Sequence, residues 1–312
     1  MAAPHCRRSL ILLGLGLAFV ATACATPSAT PETRASLAQE LERAIAGFDG
    51  TVGLYVNHLQ TNEQYAHKAD ERFPTASMIK VPIMATLFDR IDRGELSYSK
   101  KLKWDRKRIY PGHDLLAKVV DGEQISLEQL LVLMLAFSDN TASLWLQELA
   151  GTGTRINEWL AHNGYSNTRM NSRTPGRKRD WEKFGWGQTT PREMARLLVQ
   201  IWTGRGFTHA AAETMHRHLT RSVLTHGALE EIPPDVQVAS KQGAVSASRS
   251  EVFLVHAPHG AYVCCVITKK QADQSWQRHN AGYQLIRRVS RVLWQHFEPQ
   301  SGWAPPRDIE RF

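Results

Sequence analysis

The sequence predicts an α/β (α+β) fold: a five-stranded antiparallel sheet flanked by N- and C-terminal helices, with an all-helical subdomain inserted in the middle. Three observations predict it. Two strand-like runs near the start are joined by a turn signal, three more lie near the end, and the stretch between reads as mostly helical. Strands split between the ends of a sequence meet in one sheet only if the intervening block packs beside it.

Taken in order, Thr33 to Ala46 has helical periodicity and Gly47 is a natural stop. T-V-G-L-Y-V-N-H-L (51–59) reads as a strand, N-E-Q-Y-A-H-K (62–68) as its partner, and Gln60-Thr61-Asn62 as the turn. The helical insertion runs from Ser77 to Leu219. Its first helix carries Ile79, Ile83, Leu87 and Ile91 at a spacing of four, an apolar stripe. Pro82 would break a helix interior, so it pins the start of this helix close to Ser77. Leu127 to Phe137 is strongly apolar, with Ser126 as cap and Gln129 in capping-box register, and another helix follows from Thr141 to Leu149. V-Q-V-A-S-K-Q-G (236–243), S-E-V-F-L-V-H (250–256) and A-Y-V-C-C-V-I-T (261–268) supply the last strands, the final two joined by Ala257-Pro258-His259-Gly260. Trp276 to His296 closes the fold as a long helix with Leu285, Val289, Val292 and Leu293 among its apolar positions.

The 312 residues suffice for one large compound domain or two modest ones, and 42% apolar with 22% charged residues excludes a disordered chain. The net charge is +8, but the basic residues are scattered, without the basic helix or aromatic-spaced groove that nucleic acid requires. A solvated basic face and no nucleic-acid partner are the expectation. Arg7 and Arg8 precede a short apolar run, Ser9 to Ala23, below the roughly 18–20 residues of a spanning helix. Ala21-Thr22-Ala23 matches a small-x-small cleavage site. Residues 1–23 therefore read as an export signal, 24–34 as a linker, 35–297 as the folded domain (helical insertion 77–219) and 298–312 as a tail. Val20-Ala21-Thr22-Ala23-Cys24 resembles a loose lipoprotein box, so Cys24 is either a lipidated N-terminus or the first residue after cleavage. The expected location is the periplasm or cell surface, with a lipid at Cys24 as the one membrane link. Cys264 and Cys265 are strand neighbours that point to opposite faces, and read as small core hydrophobes rather than a disulfide.

Three short motifs carry chemistry. Ser77 and Lys80, three apart at a helix start, share one face. A lysine in apolar surroundings loses its proton more easily and can act as a base, and a serine hydroxyl needs such a base to become a nucleophile. The helix N-terminus offers donors where an oxyanion would form. Alone, Ser-x-x-Lys is weak. Ser138-Asp139-Asn140 sits between two helices, where simple capping also explains it. Lys241-Gln242-Gly243 ends a strand: the lysine could hold a carboxylate, and the glycine lets a ligand approach the backbone. His209, Glu213 and His216 share one helix face, better read as an exposed polar surface than as a metal site.

In this order the three motifs resemble the set that marks class A β-lactamases and penicillin-binding proteins, over about residues 35–297. S-D-N-T-A and the T-T-P-R-E-M-A-R-L-L run from Thr189 add to the resemblance. The resemblance implies a monomeric serine hydrolase acting on a β-lactam or a peptidoglycan-stem amide, without metal or organic cofactor. It implies Ser77 as the acylated nucleophile, Lys80 as its base and Ser138 as the proton shuttle to the leaving nitrogen. Asn140 would bind the substrate amide, Lys241 its carboxylate, and the N–H groups of Ser77 and Ala244 the oxyanion. Two departures stand out. Gln242 replaces a Thr or Ser, putting a longer amide on the carboxylate-binding strand. No E-x-x-L-N occurs between Asn163 and Pro191, so the usual base for deacylation is missing; ungapped counting puts it near Thr174, and Glu182 serves only if the loop takes another path. A D-alanyl-D-alanine peptidase or esterase, or a sensor that stays acylated, is the rival expectation.

Overall fold

The computed structural model describes residues 35–112, 114–306 and 308; the export signal, the linker and Cys24 lie outside the described residues. Five strands build the main sheet: β1 (Thr51–His58), β2 (Gln64–His67), β3 (Val238–Val245), β4 (Ser248–Val255) and β5 (Tyr262–Lys269). Their spatial order is β2-β1-β5-β4-β3, and every neighbouring pair is antiparallel. The N-terminal hairpin thus docks on β5, which closes the gap left by the insertion.

Alternation along these strands feeds two cores. Leu54, Val56, Phe253, Cys264 and Val266 pack toward α1 (Leu37–Ile45) and α9 (Ala281–Phe297). Tyr55, Val252, Val263, Cys265 and Ile267 pack toward the insertion. Each fully buried Val, Leu or Ile contributes about 1.5–3 kcal/mol relative to exposure. Cys264 and Cys265 accordingly lie in separate cores, both buried and free.

Both flanking helices start later than their periodicity suggests, because capping side chains fix the start. Ser36 and Gln39 form a reciprocal capping box at the head of α1. At α9, Asn280 is fully buried: its Oδ1 accepts from Gly282 N–H at 2.9 Å, and its Nδ2 donates to the Asp273 and Ser275 carbonyls at 3.0 and 2.9 Å. Those bonds hold the chain before Ala281 out of the helix predicted from Trp276.

The insertion carries α2 (Lys80–Asp92), α3 (Leu127–Ala136), α4 (Asn140–Leu149), α5 (Thr152–His162), α6 (Lys178–Phe184), α7 (Pro191–Thr203) and α8 (His209–Leu219). Short ladders that the sequence did not signal lie in it or tie it to the chain before it: Phe73–Pro74 with Gly187–Thr189, which also pairs with Arg169–Met170, and Lys101–Lys103 with Gln124–Ser126. Strands of two or three residues are too short to show alternation. In the tail, Glu298 is buried and accepts from His259 N–H at 2.8 Å. Among the described residues no helix is long and apolar enough to cross a membrane.

Candidate active site

Ser77 lies on a single 3-10 turn, Ala76–Ile79, that leads straight into α2, whose first residue is Lys80. Pro82 sits in the first turn of α2, where the missing N–H costs nothing. Ala76 holds a left-handed backbone (φ +43°), a strain of about 1–3 kcal/mol stored beside the hydroxyl. The turn is seated on β3 through Gly243. A Cβ there would lie 2.6 Å from both the Thr75 carbonyl oxygen and Ser250 Oγ. The glycine therefore admits the backbone that carries Ser77, not a ligand as the sequence suggested. This close approach brings Ser77 and Ala244 to the wall of the same cleft.

Behind Ser77 lies a buried polar network. Lys80 is fully buried, and its Nζ donates to Ser138 O at 2.5 Å, Asn140 Oδ1 at 2.9 Å and Ser138 Oγ at 3.1 Å. Burial, aided by the charge of Lys241, drives the Lys80 pKa well below its ordinary value, against the opposing pull of Asp114 and Asp139. From the other side Lys241 Nζ reaches Ser138 Oγ at 3.2 Å and the Gln242 carbonyl at 3.1 Å. Burial lowers the Lys241 pKa to about 8, and Glu251 resists that fall. One hydroxyl, Ser138 Oγ, is thus held between two buried amines. Ser138 itself is left-handed (φ +58°), so its loop too is strained.

Two acids brace that loop. Asp139 caps α4 by accepting from Ala142 N–H at 2.7 Å, and accepts from Leu116 N–H at 2.9 Å. Burial raises its pKa despite these donors. Asp114 accepts from Asn140 N–H at 3.0 Å, Thr141 N–H at 2.7 Å and Thr141 Oγ1 at 2.6 Å. Sequence reasoning missed Asp114, a lone acid in a loop with no periodicity around it. Asp114→Ala leaves two amides and a hydroxyl unpaired; we expect a loss of about 3 kcal/mol in urea unfolding, with slower substrate attack.

The cleft in front of Ser77 has a volume of about 790 Å³. Ser77, Asn140 and Ala244 line it at the reacting end, facing Tyr110 and Trp186, whose rings meet edge to face with centroids 5.3 Å apart. The Tyr110 N–H donates to Thr141 Oγ1 at 3.0 Å, which ties this wall to the Asp114 brace.

Residues 36–297 match the profile of the beta-lactamase enzyme family. The chain belongs to that family. A β-lactamase of Streptomyces fradiae is 29% identical over 257 residues, covering 76% of this chain and 79% of its own. The VEB-1 β-lactamase of Pseudomonas aeruginosa is 18% identical over 84% of this chain and 90% of its own. Among solved structures, a PBP-A mutant in an acyl-enzyme complex with penicillin G aligns with a TM-score of 0.74 at 25% identity, over 84% of this chain and 96% of that one. A β-lactamase from Sphaerobacter thermophilus DSM 20745 aligns with a TM-score of 0.74 at 23% identity, over 86% of this chain and 98% of that one. An ancestral class A β-lactamase shares the fold, with a TM-score of 0.74 at 23% identity, over 84% of this chain and 100% of that one.

The fold brings Ser77, Lys80, Ser138, Asn140 and Lys241 to one place, and sets two other candidates apart. Glu182 is exposed on α6 and does not line the cleft. The α6 turn points that side chain outward, so the rerouted path that Glu182 needed is not taken. Thr174 turns its hydroxyl to the Ser172 carbonyl at 2.9 Å. The one carboxylate lining the cleft among the described residues is Glu71, held by Lys269 Nζ at 2.6 Å. Glu182→Gln is expected to leave the turnover of a penicillin within twofold of the parent, measured by loss of β-lactam absorbance.

Gln242 also departs from its expected place. Its Nε2 donates to the Leu224 carbonyl at 2.9 Å and its amide meets Glu251 across the β3–β4 pair, so it does not line the cleft. Glu251 is fully buried; burial raises its carboxyl to about 7, against the Ala228 N–H and the Gln242 amide. The longer side chain reaches the loop at Leu224, which a Thr or Ser could not. On α8, Glu213 pairs with exposed Arg217, while His216 Nε2 lies 3.0 Å from His256 Nε2. Among the described residues no group of three or more His, Cys, Asp or Glu is placed to hold a metal ion.

Proposed function

We propose that the chain opens the β-lactam amide through an acyl-Ser77 intermediate. The observation that carries this reading is the Ser138 hydroxyl held at 3.1 Å from Lys80 Nζ, itself three residues after Ser77, and at 3.2 Å from Lys241 Nζ. In the proposed reaction neutral Lys80 takes the Ser77 proton, and Ser77 Oγ attacks the carbonyl carbon. The N–H groups of Ser77 and Ala244 hold the oxyanion. As the C–N bond breaks, Ser138 gives its proton to the departing nitrogen and regains one from Lys80. Asn140 Oδ1 is committed to Lys80, which leaves its Nδ2 for the substrate amide carbonyl. Protonated Lys241 attracts the substrate carboxylate. Water then cleaves the ester and frees Ser77.

Among the described residues the second half-reaction has no dedicated carboxylate, since Glu71 is paired and Glu182 is outside the cleft. Slow deacylation is therefore part of the proposal. The same observation favours the rival reading, a penicillin-binding peptidase or sensor that stays acylated. Rapid mixing with a chromogenic cephalosporin separates them. A burst of one enzyme equivalent followed by steady turnover, at least tenfold slower, supports the hydrolase. A burst with no second phase supports the rival. Export and anchoring at Cys24 rest on the N-terminal sequence alone; fractionation and the mass of the mature N-terminus test them.

A further inference from the structure

The cleft does not end at Ser77. β3 finishes at Val245, β4 starts at Ser248, β5 finishes at Lys269 and β1 starts at Thr51, all at one end of the sheet. The cleft crosses that end, with Val245, Ser248, Lys269 and Thr51 on one wall and Phe184 and Trp186 on the other. Three ammonium groups belong to it: Lys183, Lys269 and Lys270. Lys269 is matched by Glu71. Lys270 feels the same Glu71 without a direct ion pair among the described residues, and Lys183 lies 5.2 Å from the centroid of the Phe184 ring, so three cations face one carboxylate and this end of the cleft carries surplus positive charge. Ser248, 2% exposed, lines the same wall, and its hydroxyl lacks a hydrogen-bond partner.

The direction of the cleft says which part of a substrate meets that charge. The departing nitrogen belongs at Ser138 and Lys241. A group on the carbonyl side runs the other way, past Ala244 and Val245 toward Lys183 and Lys270. We propose that this end is an anion subsite for the acyl side of the substrate, selecting acyl groups that carry a carboxylate several bonds from the reacting carbonyl. The proposal rests on the acyl-Ser77 reading above. Cations at the end of a walled cleft favour such a group both in encounter and in the bound state, and salt weakens both effects, the more so because Lys183 and Lys270 are exposed.

The test compares a cephalosporin bearing a glutaryl side chain with its terminal-amide counterpart, which differs only in that charge. We expect acylation of Ser77 to be about tenfold faster for the glutaryl compound at low ionic strength, and the preference to shrink as salt is added. In the double variant Lys183→Gln/Lys270→Gln the ratio should fall to within about twofold of unity. Equal rates in the parent, or a preference that survives the double substitution, overturn the subsite while leaving the acyl-serine reading intact. No added mass on Ser77 from either compound overturns the acyl-serine reading itself, and the subsite with it.

Discussion

Lys80→Met is expected to slow Ser77 acylation by about 10³–10⁴-fold, the range a positioned general base supplies. The buried methionine preserves volume and the apolar surroundings, so the substitution removes the base with little change of shape. It also leaves Ser138 O and Asn140 Oδ1 without the donor they now share. Part of the loss therefore comes from the loop. A melting curve recorded beside the stopped-flow rate separates the two: a folded protein that acylates at the parent rate would show that Lys80 is not the base. Lys80 can play this part because burial and the neighbouring Lys241 charge both lower its pKa well below the ordinary lysine value. In water the same amine would stay protonated near neutral pH and could not accept the serine proton.

The second large effect is on pH. For a substrate with the carboxylate that Lys241 attracts, kcat/KM should rise as Lys80 loses its proton. It should then fall by about tenfold per unit above pH 8, where Lys241, at about 8, loses its own. The signs are opposite because one lysine acts neutral and the other acts charged. Both touch Ser138 Oγ, so the two limbs report the pair rather than isolated residues. A thioester substrate without that carboxylate should keep the rising limb and lose the falling one. An alkaline limb of equal depth for both substrates would remove Lys241 from carboxylate binding.

Much of the site was legible because catalytic chemistry restricts residue type and spacing. Ser77 and Lys80 stand one turn apart, and Pro82 fixed where that turn had to begin. The strand alternation that separates Cys264 from Cys265 was legible for a similar reason: a period of two is a local property. What stayed hidden depends on contacts distant in sequence. Gly243 looked like a place for a ligand because nothing in its neighbours says that the Thr75 carbonyl packs there. Gln242 looked like a substrate contact, yet its direction is set by Leu224 and Glu251. Asp114 has no motif at all, and gains its role only when α4 starts against it. The cationic end of the cleft joins α6, β1 and β5, which no stretch of sequence brings together.

Everything above turns on Ser77 carrying the acyl group. The most direct measurement is the mass of the Ser77 peptide after the protein is mixed with benzylpenicillin and quenched during the burst. One penicilloyl group is expected on Ser77 and none in Ser77→Ala, whose turnover should fall by about 10⁶-fold, as removal of a nucleophile does elsewhere. Turnover that persists in Ser77→Ala, or an adduct on any other residue, would contradict it.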